Sequence, residues 1–463
     1  TGTANTALGA CALCKNTTGS NNVSVGYQAG FSNQTGAYIT AVGLQAAYNT
    51  TVNEVAAFGH QAGCANTTGT RNTFIGPFSA VANTTGSDIT AIGSAALAAN
   101  TTGAYNVAVG RNSLASNTTG EQNTAIGRVA LQSNIAGICN TAVGHNALNS
   151  NLCCFNTAVG NEALRLNTTG QYNTAVGNSA LICNTTAVQN TATGWCALAL
   201  NTTASYNSAN SAYALRSNTT GASNTAIGRA SLSLNTTGAC NTAVGASALY
   251  GNTTAANNTA VGINSLCSNT TGEVNTAVGS SSMATNTTGF GNTAVGKSSL
   301  GANNGNNNTA VGHDSLSANT SGSSNVAVGR EALDSNTTGA VNTAVGTTAL
   351  ESNTTGGSNT ALGQSALRCN TTASDNTSVG RESMYTNTTG CQNTAVGHDS
   401  LYATTTGSFN AAIGLGSGCN ITTGTGNVLI GNYAGTDAVS NVVASSNNIV
   451  IGNNSSSTAK IKI

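Results

Sequence analysis

Four histidines, His60, His145, His313 and His398, each stand one residue after a glycine. Two of them are followed at once by aspartate, as His313-Asp314 and His398-Asp399, and Arg330-Glu331 and Arg381-Glu382 repeat that basic-acidic step. A His-Asp step can supply a general base or begin a metal ligand set. The same pattern also describes a charged corner that keeps a polar chain in solution. The corner reading is preferred, because the histidines are too far apart in the chain to be gathered. No repeated nucleophile accompanies them with a base and an orienting third group. The expectation is no enzyme, no catalytic residues, no cofactor and no metal.

The cysteines point the same way. Thirteen are present, an odd number, without framework spacing. Cys11-x-x-Cys14 and Cys153-Cys154 lack a second ligand pair, so the set reads as small buried or turn residues. Asn-Thr-Thr triplets at Asn16, Asn66, Asn117, Asn218 and Asn387 are N-glycosylation acceptors. They serve equally as turn formers, which is the preferred reading; a glycan-coated edge is the alternative.

These residues recur in register because one unit is repeated along the chain. The unit is Asn-Thr-Ala-Val-Gly-x-x-Ala-Leu-x-x-Asn-Thr-Thr-Gly-x-x, numbered here as positions 1 to 17. Its position-5 slot occurs 27 times from Gly9 to Gly452, with Ser211 as the one substitution, and 22 of the 26 steps equal the unit's own length. Three steps, ending at Gly59, Gly160 and Gly312, are one residue shorter, and the last is four residues longer. The histidines, five arginines and Lys297 occupy position 6; Glu162, Asp314, Glu331, Glu382 and Asp399 occupy position 7.

So short a unit, rich in Gly and Asn, cannot hold a helical hairpin. Thr, Val and Ile bounded by Val-Gly and Asn-Thr-Thr-Gly predict two short strands and two turns. Such a unit buries an apolar face only by stacking on its neighbours. The fold class expected is all-β, a parallel β-solenoid of about 27 coils. At about 4.8 Å per coil that makes a rod of about 130 Å. Residues 1–431 form the repeat shaft, and 432–463 an irregular C-terminal coil that ends the array.

Specific roles follow for one pair of units. Asn342, Gly346, Asn353, Gly356, Asn359 and Gly363 are expected as a turn ladder, both glycines of each unit at positive φ. Val345, Leu350, Leu362 and Leu367, at positions 4 and 9, are expected as the buried stripe. Adjacent residues of a strand face opposite ways. The alanines at positions 3 and 8 would then form an exposed stripe suited to another chain. The short steps should be absorbed in turns, and the long one should loop out around Thr436–Ser445.

Composition excludes other classes. Charged residues are 6% of the chain and net charge is zero, which leaves no electrostatic case for nucleic acid. No apolar run approaches the roughly 20 residues of a membrane helix, so no membrane insertion is expected. The chain opens at Thr1 and closes on Lys460-Ile461-Lys462-Ile463, which reads as a fragment or processed product. Adjacent Thr-Thr residues would point to opposite faces, so an ice-binding Thr array is the weakest candidate.

The residues also carry a resemblance. Asn-Thr-Ala-Val-Gly-x-x-Ala-Leu resembles the head repeats of trimeric autotransporter adhesins, a left-handed parallel β-roll shared by three chains. The full unit resembles repeats of phage and viral tail-fibre-like proteins, as do Asn427–Gly435 and Asn447–Asn454. The resemblance implies a structural fibre shaft on a virion or cell exterior, mediating attachment through a tip. It implies a homotrimer, and a surface glycan or receptor engaged beyond this chain. The alternative is an extracellular filament subunit joined end to end. Tyr38, Tyr105, Tyr172, Tyr206 and Phe409 lie on variable loops, where they are expected to cover the turn; contact with a glycan or a partner is the alternative.

Overall fold

The computed structural model describes residues 1–436 and 443–452. Each position-5 slot follows a strand of three or four residues, from β1 (Thr6–Leu8) to β27 (Ile449–Ile451), and no helix occurs among the described residues. The chain forms two compact units, Thr1–Ala230 and Ser231–Ile463. The first holds β1 through β14 (Thr225–Ile227), the second β15 (Thr242–Val244) through β27. Within each unit every strand pairs parallel with the strand one coil away. An example is β21 (Thr343–Val345) on β22 (Thr360–Leu362), with Ala344 opposite Ala361. This is a parallel β-solenoid.

Only one strand forms per coil, at positions 2 to 4. The expected second strand is replaced by a tight run whose residues at positions 7 and 9 have positive φ. In the coil of Asn342 these are Thr348 (54°) and Leu350 (54°); position 17, Ser358 (57°), is a third such residue. Left-handed backbone costs a non-glycine residue about 1–2 kcal/mol. It persists here because the stack supplies hydrogen bonds for it. The Thr348 amide donates to the Arg330 carbonyl one coil back at 2.9 Å, and Leu350 to Ala366 one coil on at 3.0 Å. Ser352, Thr354 and Thr343 donate forward to Arg368, Thr371 and Asn359; Gly346 and Ser358 donate back to Val328 and Ala340. The ladder therefore runs around the whole coil, well beyond the strand. Two bonds within the coil, Ala349 to Gly346 and Asn353 to Leu350, close the tight run.

Inside, position 3 and not position 4 faces the core. Ala344 and Ala361 are completely buried, whereas Leu362 is 47% exposed and Val345 only half-buried. Val345 and Leu362 are thus removed from the predicted buried stripe, while Leu350 and Leu367 hold their place in it. The reason is volume. The coil interior is filled by Leu at position 9, which leaves room for a methyl group opposite. Where position 3 is large, position 9 shrinks. Phe74 is fully buried above Gly63, where an added Cβ would stand 2.3 Å from the ring; Leu429 faces Gly418 in the same way. The alanines of position 8 are buried too, Ala349 and Ala366 among them. Alternation fails at positions 8 and 9 because that segment is not extended.

The three short steps are absorbed at the Asn-Thr-Thr-Gly corner, and the strands stay in register across each: Ala41 opposite Ala57, Ala158 opposite Ala142, Ala294 opposite Ala310. Across the long step, Val428 still pairs with Ile449. The loop expected there lies mostly outside the described residues.

Candidate functional site

The Asn ladders are the most regular feature of the coil. Asn353 Nδ2 donates to Asn336 Oδ1 at 2.8 Å and to the Gly356 carbonyl at 3.0 Å, and Asn370 Nδ2 donates to Asn353 Oδ1 at 2.8 Å. At position 1, the Asn359 backbone amide donates to Asn342 Oδ1 at 3.0 Å, and Asn342 Nδ2 reaches the Gly356 carbonyl at 2.8 Å. Both amide protons of Asn353 are thus consumed inside the stack. Gly346 and Gly363 have φ of 138° and 137°, and a Cβ on Gly346 would lie 2.4 Å from the Gly363 carbonyl oxygen. Gly356, at position 15, does not have positive φ as expected. Its slot is small because Asn353 Oδ1 lies 2.5 Å from where a Cβ would sit.

The same geometry overturns the glycan reading. Asn66, Asn117, Asn218 and Asn387 are completely buried, with Nδ2 bonded to a neighbouring side chain of the column and to a carbonyl. Asn16 is half-buried, and its Nδ2 donates to Gly19. A sugar on the four buried nitrogens is incompatible with the folded coil.

The outward strand face replaces the predicted alanine stripe. Positions 2 and 4 both point out, giving in each unit a column of mostly Thr beside a column of mostly Val, Ile or Leu. None of the strand residues is charged. A contiguous exposed apolar surface of this kind usually marks an interaction site. Here Val261, Val278 and Val328 are 36% exposed and Ile413 is 47% exposed, side by side with threonines such as Thr259 and Thr343.

At the adjacent corner the basic-acidic steps behave as surface ion pairs. Arg330 lies 3.3 Å from Glu331, and His313 Nδ1 2.9 Å from Asp314. Such half-exposed pairs are worth well under about 1 kcal/mol. One corner goes further. Glu382, His398 and Asp399 each place a ligand atom within 4.8 Å of the other two. Read along the chain, His398-Asp399 is a solubilising step with no metal ligand. The missing signal was Glu382, one coil back at the same corner.

Other candidates separate. Tyr38, Tyr105, Tyr172, Tyr206 and Phe409 are exposed at position 17, and Tyr172 stacks on Phe155 with centroids 5.1 Å apart. All thirteen cysteines are free and none is buried, which removes the buried half of the expectation of small buried or turn residues. Burial nonetheless pushes the Cys64 thiol above its ordinary range. Gly291–Ser298 spells Gly-x-x-x-x-Gly-Lys-Ser, a phosphate-loop pattern where the sequence reading expected no such loop. Its middle is a strand, Thr293–Val295, and no helix follows to present its N-terminus to a phosphate.

The protein is, by its fold, a parallel β-solenoid built of tandem repeats. No family model matches the chain, and no curated protein matches it.

Proposed function

We propose that the chain is the structural shaft of a surface fibre or adhesin, which holds a binding tip away from a virion or cell. The observation that supports this best is the continuity of the inter-coil ladder. Within each unit, backbone bonds at positions 2, 5, 7, 9, 11, 13 and 17, together with a buried Asn column, tie successive coils to one another. That arrangement resists bending and local opening.

The uncharged Thr/Val face supports self-association, with a homotrimer preferred over an end-to-end filament. In the second unit this face spans thirteen strands. At about 4.8 Å per strand and about 10 Å width it covers roughly 600 Å², close to the roughly 800 Å² per partner of a standard interface. A location outside the cell or on a virion follows from the same reading.

Native mass measurement on the purified chain should give three copies of 45.3 kDa. Introducing Val311→Glu and Val345→Glu together should give a monomer with an unchanged β spectrum, because both side chains point away from the coil interior. A wild-type monomer with its Val column in water refutes the association, and with it this account of the face.

A further inference from the structure

The second unit contains one place where three potential metal ligands converge at the charged corner. Glu382 stands at position 7 of one coil, and His398 and Asp399 at positions 6 and 7 of the next. One ligand atom of each lies within 4.8 Å of the others, the only such group of three among the described residues. We infer that Glu382, His398 and Asp399 bind a divalent transition-metal ion of the zinc type, with open coordination positions toward the neighbouring cleft.

The donor set selects the class of ion. An imidazole nitrogen with two carboxylate oxygens is a borderline set that suits Zn²⁺ and its first-row neighbours, whereas Ca²⁺ and Mg²⁺ take oxygen ligands alone. Three protein ligands also match the usual number at a zinc site that keeps a position open for water or a ligand.

Two further observations point to a missing partner. Asp399 Oδ1 is shut off from solvent and has no hydrogen-bond partner, while its Oδ2 lies 3.4 Å from His398 Nδ1. A carboxylate oxygen left in that state carries a desolvation penalty, which coordination of that oxygen to a cation would remove. Beside it, Glu382 and Asp399 line a cleft of about 410 Å³ together with Tyr402, Cys419, Asn420 and Tyr433. The cleft exists because the next coil breaks the pattern. Position 7 there is Gly416, and the Tyr433 ring lies over it, so that an added Cβ would stand 2.4 Å from Tyr433 Cε1. That space accommodates the waters that complete a coordination sphere.

Convergence is not an automatic product of the repeat. His313, Asp314 and Glu331 are the same three residue types, but there the glutamate follows the histidine by one coil and one residue, and no three-ligand group forms. Glu382 instead precedes His398 by one residue less than a full coil, which places it on the other side of the His-Asp step. Arg381 approaches Glu382 Oε1 at 3.7 Å from an exposed position; metal binding displaces this weak contact.

The test uses the full chain carrying Cys419→Ser, which keeps any adduct out of the cleft, with the remaining thiols alkylated so that cysteines do not compete, titrated with ZnCl₂ by calorimetry. The expected result is one saturable equivalent that weakens at least tenfold in His398→Gln and stays intact in His145→Gln, a histidine at the same slot whose Nδ1 faces Asn161 instead. Should His398→Gln disturb the coil, Glu382→Gln reports on the same equivalent from a half-exposed position. No saturable equivalent in the wild type, or coincident isotherms for wild type and both variants, overturns the site. Neither result bears on the shaft reading, which the mass measurement tests separately.

Discussion

Replacing Asn353 by alanine probes the amide column at a place where every hydrogen bond is accounted for. The substitution removes the donor to Asn336 Oδ1 and one of the two acceptors of Asn370 Nδ2. The Gly356 carbonyl keeps a partner in Asn342 Nδ2. Two polar groups are therefore left unsatisfied where water does not reach, at about 1–3 kcal/mol each, or about 2–6 kcal/mol together. In a stacked repeat the damage stays with the nearest coils. Hydrogen exchange read by mass spectrometry should show it in a peptide covering Asn336–Asn370 and not in one covering Thr242–Val261. At about 1.4 kcal/mol per decade, protection in the first falls by a factor between about 30 and about 10⁴. The isosteric Asn353→Asp adds a pH arm. Its carboxylate faces the Asn336 oxygen and the Gly356 carbonyl, so its folded pKa is raised above the unfolded value near 3.9. A group so raised lends its stability below the unfolded pKa and loses it as pH rises through the folded one. Protection in Asn353→Asp should accordingly be nearer wild type at about pH 4 than at neutral pH. A change under tenfold in Asn353→Ala, or indifference of Asn353→Asp to pH, would falsify the account of the column.

Ser211 occupies a glycine slot at φ 132°; Ser211→Gly should relieve strain of about 1–3 kcal/mol, less the entropy glycine adds to the unfolded chain, and raise protection in the coil around it. Thr404 interrupts the amide column and leaves both its own Oγ1 and Asn387 Oδ1 buried without partners. Thr404→Asn should satisfy the second and stabilise by about 1–3 kcal/mol, checked by exchange across Asn387–Gly407; a loss of protection would sink this. Burial pushes the Asp334 carboxyl up, and nearby Asp314, Glu331 and Glu351 add to the rise. Wild-type stability from this group is thus present in acid and lost as pH rises through the raised value. Asp334→Asn should therefore stabilise at neutral pH and do nothing in acid, as thermal melts at the two pH values will show.

Much of the fold is legible in the glycine spacing alone, since so short a step sustained over the chain permits little besides stacking. The parity of the strand is legible too: Thr-Ala-Val must split two residues to one face and one to the other. Its sign is not. Hydrophobicity favours Val345 inside, and only the bulk of Leu350 in a narrow interior reverses the choice. The left-handed backbone at Thr348 and Leu350 left no trace, because neither residue type favours it; inter-coil hydrogen bonds impose it. The sequons read correctly as turn formers, since Asn117 and Asn387 sit where the ladder needs an amide. Glu382 was recoverable in principle by stepping back one coil from His398, had the corner been read across coils instead of along the chain.

The Asn column has one further property. Along its unbroken stretches each position-12 amide donates to the coil before it and accepts from the coil after it, as Asn353 does between Asn336 and Asn370. The side-chain dipoles therefore point the same way and polarise one another, as in any chain of hydrogen bonds in a poorly screening interior. Each such stretch of stacked coils is an oriented electret, with carboxamide oxygens facing one end and N–H groups the other. Two such ends are chemically distinct. A coil offered to one meets acceptors, and the same coil offered to the other meets donors, so the stack can tell its own direction.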